Sequence, residues 1–73
     1  MAEDLYELDR TFERRDFRTH PLPGGAYENC VFLHCDFSGS DLAGIHFIDC
    51  RFTGCNLSLA GLRGTVLRDI RFE

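Results

Sequence analysis

The chain has 73 residues, with 12 acidic and 8 basic side chains and a net charge of −4; every basic residue is an arginine. So short a chain is one domain at most, and its acidity argues against binding nucleic acid directly, which needs a basic surface to displace counterions. It carries no run of about twenty apolar residues and no basic n-region followed by an apolar stretch, so it is expected to be a cytoplasmic protein without a membrane span.

From Phe12 onward every fifth residue is Phe, Leu or Tyr: Phe12, Phe17, Leu22, Tyr27, Phe32, Phe37, Leu42, Phe47, Phe52, Leu57, Leu62, Leu67 and Phe72. A step of five drifts around a helix and alternates faces on a strand, so this spacing predicts a chain that turns a corner every five residues. A longer period is superimposed: Cys30, Phe32, Cys35, Ser38 and Gly44 return as Cys50, Phe52, Cys55, Ser58 and Gly64. Twenty residues are four fives, which predicts a four-sided coil whose turns stack at the strand spacing of about 4.8 Å.

In chain order, residues 1–24 are expected to be an N-terminal cap or irregular first coil. Two residues before each large apolar position the repeat wants a small side chain, and there this segment has Arg10, Arg15 and His20, which cannot enter a narrow apolar interior unpaired. The Pro and Gly residues of 20–25 predict a turn. From residue 25 to 73 the small register becomes regular: Gly25, Cys30, Cys35, Ser40, Ile45, Cys50, Cys55, Ala60, Thr65 and Ile70. The interior is predicted to hold four ladders: Phe12 with Phe32, Phe52 and Phe72; Phe17 with Phe37 and Leu57; Leu22 with Leu42 and Leu62; and Tyr27 with Phe47 and Leu67. Gly39, Gly44, Gly54, Gly61 and Gly64 are assigned to corners that need positive φ. At the C-terminal end the pattern stays in phase to Phe72, leaving Leu62, Leu67 and Phe72 as a candidate self-association surface on an open edge. Val31 and Leu33, flanking Phe32 outward, form a second candidate contact patch.

Candidate chemistry is sparse. The spacing of Cys30, Cys35, Cys50 and Cys55 is wider than that of four-thiolate zinc sites, and their register makes them inward, reduced thiols. His20, His34 and His46 share no spacing, and Asp36 and Asp41 precede interior residues on adjacent faces of a convex coil, where no cleft joins them. Neither a catalytic residue nor a metal or cofactor ligand is therefore assigned, and the chain is expected not to be an enzyme.

The segments Cys30-Val31-Phe32, Cys35-Asp36-Phe37, Ser40-Asp41-Leu42, Cys50-Arg51-Phe52, Cys55-Asn56-Leu57 and Ala60-Gly61-Leu62 resemble successive copies of the pentapeptide repeat. The resemblance implies an all-β fold, a right-handed quadrilateral β-helix, here of about three coils. It also implies a protein-interaction role in a bacterial cytoplasm: the quinolone-resistance members of the family bind DNA gyrase and related type II topoisomerases. The expected partners are thus a topoisomerase and, through the C-terminal coil, a second copy of the chain. The competing expectation is a purely structural solenoid block, or the N-terminal part of a longer repeat protein with no activity of its own.

Overall fold

The computed structural model describes residues 5–73. The first four residues of the expected cap lie outside the described residues. Eight short strands follow one another: β1 Leu5–Leu8, β2 Thr11–Glu13, β3 Gly25–Glu28, β4 Val31–Leu33, β5 His46–Ile48, β6 Arg51–Thr53, β7 Val66–Arg68 and β8 Arg71–Phe72. They form two parallel sheets, ordered β1-β3-β5-β7 and β2-β4-β6-β8. Every rung joins residues twenty apart, as in Phe12↔Phe32, Phe32↔Phe52 and Tyr27↔Phe47. The chain is a four-sided parallel β-solenoid of about three coils, as the period of twenty requires.

The other two sides of each coil are turns rather than strands, joined between coils by the single bridges Asp16↔Asp36, Asp36↔Asn56 and Asp41↔Gly61. The cause is local. Asp16, Asp36, Asp41 and Asn56 each accept, at Oδ1, the backbone N–H two residues ahead (Arg18, Ser38, Ala43 and Ser58, 2.9–3.0 Å), which bends the chain as an Asx turn. A second bond closes each later turn: the N–H groups of Ser40, Ile45, Ala60 and Thr65 donate to the carbonyls of Phe37, Leu42, Leu57 and Leu62.

The interior is an aromatic stack. Phe12, Phe32, Phe52 and Phe72 lie nearly parallel, with centroids 4.9, 4.8 and 5.4 Å apart in sequence along the column. The coil spacing and the favourable ring-stacking distance coincide, so one geometry satisfies both backbone and side chains. Neighbouring columns meet edge-on, as in Phe32–Phe37 at 5.6 Å and Phe47–Phe52 at 5.3 Å.

The expected irregularity of the first coil lies in its later half and in its side chains. Over β1, β2 and Asp16 the backbone pairs with the next coil, and Phe12, Phe17 and Leu22 are buried, whereas residues 18–24 make no such pairs: the His20 N–H closes onto the Asp16 carbonyl, and neither Thr19 nor Gly24 takes the positive φ of Gly39 and Gly44. Arg10 and Arg15 do not enter the interior; their guanidinium groups lie over the Phe12 ring at 5.2 and 5.7 Å from its centroid. There the long side chains cover the end of the stack while their charges reach water. Gly61 departs from the expected corner conformation. It bridges Asp41, whereas Gly39, Gly44, Gly54 and Gly64 take positive φ.

Candidate interaction surfaces

The small register does more than fill space. Cys30 shares its Sγ proton between the carbonyls of Glu28 in its own coil (3.4 Å) and Glu7 in the coil before (3.7 Å), while Cys35 donates to the Phe12 carbonyl (3.3 Å), Cys50 to Tyr27 (3.2 Å) and Cys55 to Phe32 (3.2 Å). The Ser40 and Thr65 hydroxyls do the same to Phe17 and Leu42. Each donor reaches back 23 residues, to the central residue of the neighbouring face in the previous coil, so a thiol or hydroxyl stitches successive coils at the corner. All four cysteines are free. Burial pushes the thiols of Cys30, Cys50 and Cys55 above their ordinary value. Such thiols are poor nucleophiles, because attack needs the thiolate.

The histidines stay apart. His46 is exposed on the outer face of β5, His34 stands at a corner against Gly54, and His20 sits at the N-terminal end. Among the described residues no three His, Cys, Asp or Glu side chains gather as a metal site.

The predicted contact residues occupy two separate places. Leu62, Leu67 and Phe72 lie on the last coil at 47, 44 and 59% exposure, beside the outermost strands β7 and β8. Phe72 still stacks on Phe52, so one side of its ring is covered and the other is open. Val31 and Leu33 lie on the outer face of β4, half-buried between Thr11 and Glu13 on one side and Arg51 and Thr53 on the other. The two groups do not form one surface.

Charge on the outside is organised in ladders. Asp9, Asn29, Asp49 and Asp69 share one corner, all at positive φ, and Asn29 Nδ2 donates to Asp9 Oδ1 at 2.6 Å. The Tyr6 hydroxyl donates to Glu28 at 2.6 Å, which raises the phenol's pKa. On the third side Arg18 reaches both Asp16 (2.9 Å) and Asp36 (3.3 Å), and its hydrogen bonds hold the Asp16 carboxyl down at about 2. The acid corner and the arginine-bridged side were not anticipated from sequence. Their members are far apart in the chain, and only the twenty-residue register brings them into line.

Comparison with known proteins agrees with this geometry. The family model for pentapeptide repeats matches residues 30–69 as eight copies. Full-length QnrB1, a plasmid-mediated fluoroquinolone resistance protein, is similar at 31% identity and a TM-score of 0.80 over 89% of this chain. Two trypsin-treated variants of QnrB1 match at 32 and 33% identity, with TM-scores of 0.62 and 0.63 over 93 and 92% of the chain. The chain spans about a third of the length of these structures, covering 33, 32 and 33% of them. A search of curated proteins finds no match. On the matched repeats and the shared solenoid, the chain belongs to the pentapeptide-repeat family.

Proposed function

We propose that this chain is a non-enzymatic protein-interaction module of the bacterial cytoplasm whose partner is a type II topoisomerase of the DNA gyrase kind. The observation that carries the reading is the likeness to a fluoroquinolone resistance protein over 89% of the chain at 31% identity. The surface supports it. The large apolar register from Phe12 to Phe52 is buried, and the outside presents ladders on convex sides with an acidic corner at Asp9, Asp49 and Asp69. Such a surface engages a macromolecule by shape and charge. Immobilised chain should retain purified gyrase, and added chain should alter fluoroquinolone inhibition of supercoiling. The absence of both retention and any effect on supercoiling would refute the proposal.

A second reading, a structural block that stacks on another solenoid, is favoured by the half-exposed Leu62, Leu67 and Phe72. A second copy covering that end through a two-fold axis would bury these side chains and pair β7 and β8 in a closed homodimer. Sedimentation equilibrium should then show a dimer at micromolar concentration that Leu67→Asp weakens. A monomer across that range would exclude the homodimer.

A further inference from the structure

The two ends of the solenoid share one register and are finished differently. At the C-terminal end the interior positions Leu62, Leu67 and Phe72 are 47, 44 and 59% exposed, whereas at the other end Phe12, Phe17 and Leu22 are only 7, 5 and 6% exposed. Phe12 and Phe72 belong to one ladder and Leu22 and Leu62 to another, so the difference lies in what covers these side chains and not in their own chemistry.

Phe32 covers one face of the Phe12 ring at 4.9 Å, and the guanidinium groups of Arg10 and Arg15 lie over the same ring at 5.2 and 5.7 Å from its centroid. These arginines hold the slots that Cys30 and Cys35 fill in the next coil and Cys50 and Cys55 in the one after. Rings in this column are spaced 4.8–5.4 Å apart, so a further ring on Phe12 would need the place where the guanidinium groups sit. The rest of that end is closed by the chain itself. The His20 N–H donates to the Asp16 carbonyl at 3.3 Å and the Tyr27 hydroxyl to the Pro23 carbonyl at 2.5 Å, which holds residues 20–23 beside Leu22.

The backbone alone would not keep two copies apart. Among the described residues β1 and β2 are the outermost strands at one end and β7 and β8 at the other, all parallel, so each end offers an edge to a strand of another copy. A head-to-tail contact of that kind does not close and would build a rod of indefinite length. Charge opposes it. Stacking on the first coil would take two guanidinium groups out of water, and among the described residues only one of them has a carboxylate partner, Arg10 with Glu7 at 2.7 Å.

We propose that Arg10 and Arg15 are a stop on assembly: they bar the apolar C-terminal end of a second copy from the first coil, so that copies of this chain do not stack head to tail. Charged side chains set at a sheet edge to prevent pairing are a general device of β-proteins. The inference goes beyond the topoisomerase reading and holds whether or not two C-terminal ends pair.

Arg10→Ser combined with Arg15→Ser puts the kind of side chain found at Ser40 into both slots and removes both charges. The parent should sediment at micromolar concentration as a monomer or closed dimer. The double variant, its fold checked by far-ultraviolet circular dichroism, should rise at least about fivefold in weight-average mass with concentration and form rods in electron micrographs. Leu67→Asp in that background should abolish the growth. A small share of added parent should shorten the rods, because the parent joins by its open end and presents a guarded end to the next copy; a misfolded aggregate would show neither response. Arg10→Lys with Arg15→Lys keeps both charges and should remain at the parent's mass. If the serine variant loses its fold, Arg10→Met with Arg15→Met, which keeps the stems over the ring without their charge, is read in the same way. Rods formed by the parent or by the lysine variant would overturn the assignment. So would an uncharged, folded variant that keeps the parent's mass, or rods indifferent to both Leu67→Asp and added parent.

Discussion

Removing the ring of Phe32 should destabilise this protein more than any other single truncation of an aromatic ring. Phe32 is fully buried and stacks on Phe12 at 4.9 Å and Phe52 at 4.8 Å. Its edges meet Phe17, Tyr27, Phe37 and Phe47 at 5.6–6.4 Å. The void left by Phe32→Ala cannot close, because backbone bonds fix the coil spacing on either side: Val31 N–H to the Arg10 carbonyl at 2.9 Å and Arg51 N–H to the Cys30 carbonyl at 3.0 Å. A buried Phe→Ala change costs about 3–5 kcal/mol, and the upper half of that range applies where collapse is blocked. At roughly 0.05–0.15 kcal/mol per residue, a domain of this length has only about 4–11 kcal/mol in all. Phe72→Ala is the internal control: the ring is 59% exposed and touches a single aromatic neighbour, Phe52, so its loss should cost about 1 kcal/mol or less. Urea titration followed by far-ultraviolet circular dichroism measures both, with Phe32→Leu as a milder substitute should the alanine variant lie unfolded in buffer. Costs at positions 32 and 72 that agree within about 1 kcal/mol would refute the stacked-ladder account of stability.

The corner geometry makes Gly54 irreplaceable while His34 stands above it: at φ +61°, an added Cβ would lie 2.5 Å from His34 Nδ1. Gly54→Ala should cost about 1–3 kcal/mol, part of it recovered in the double variant with His34→Ala, and an additive cycle would show that the two corners do not touch. Alkali should weaken the fold through its buried acids. Burial raises the thiols of Cys30, Cys50 and Cys55 above 9.0, and pushes the Tyr27 phenol from 10.0 up to about 12. For groups whose folded pKa is raised, stability is complete below the unfolded value and is lost as pH rises toward the folded one. The urea midpoint should therefore hold to about pH 9 and fall steadily toward pH 12, less steeply in Cys50→Ala; a midpoint unchanged between pH 8 and 11 would contradict the burial of these groups.

How much of this was legible beforehand divides along a physical line. The large apolar register was plain because every coil must point one big side chain inward per side, and nothing but Phe, Leu or Tyr fills that position from Phe12 to Phe72. The corners were legible only where glycine occupies them. Gly39, Gly44, Gly54 and Gly64 announce positive φ, but the same conformation at Asp9, Arg14, Asn29, His34, Asp49, Leu59 and Asp69 carries no common residue type. The conformation there is imposed by stacking, since each coil must turn where the one before it turned. Tertiary bonding thus overrides local preference, and Asp and Asn merely reduce the cost.

The cysteines show the same division from the other side. Their register placed them inward from sequence alone, but size explained only half of the choice. Alanine or glycine would fill a small slot equally well; what Cys30, Cys35, Ser40, Cys50, Cys55 and Thr65 share is a hydrogen atom to give to a carbonyl of the previous coil. That need cannot be read from any one pentapeptide, because its acceptor lies 23 residues away and exists only once the coils have stacked. Ile45, Ala60 and Ile70 occupy the slot without a donor, so the bond adds to the coil and is not a condition of forming it. The apolar ladder therefore specifies the fold, and the thiols and hydroxyls tie each turn to the one before.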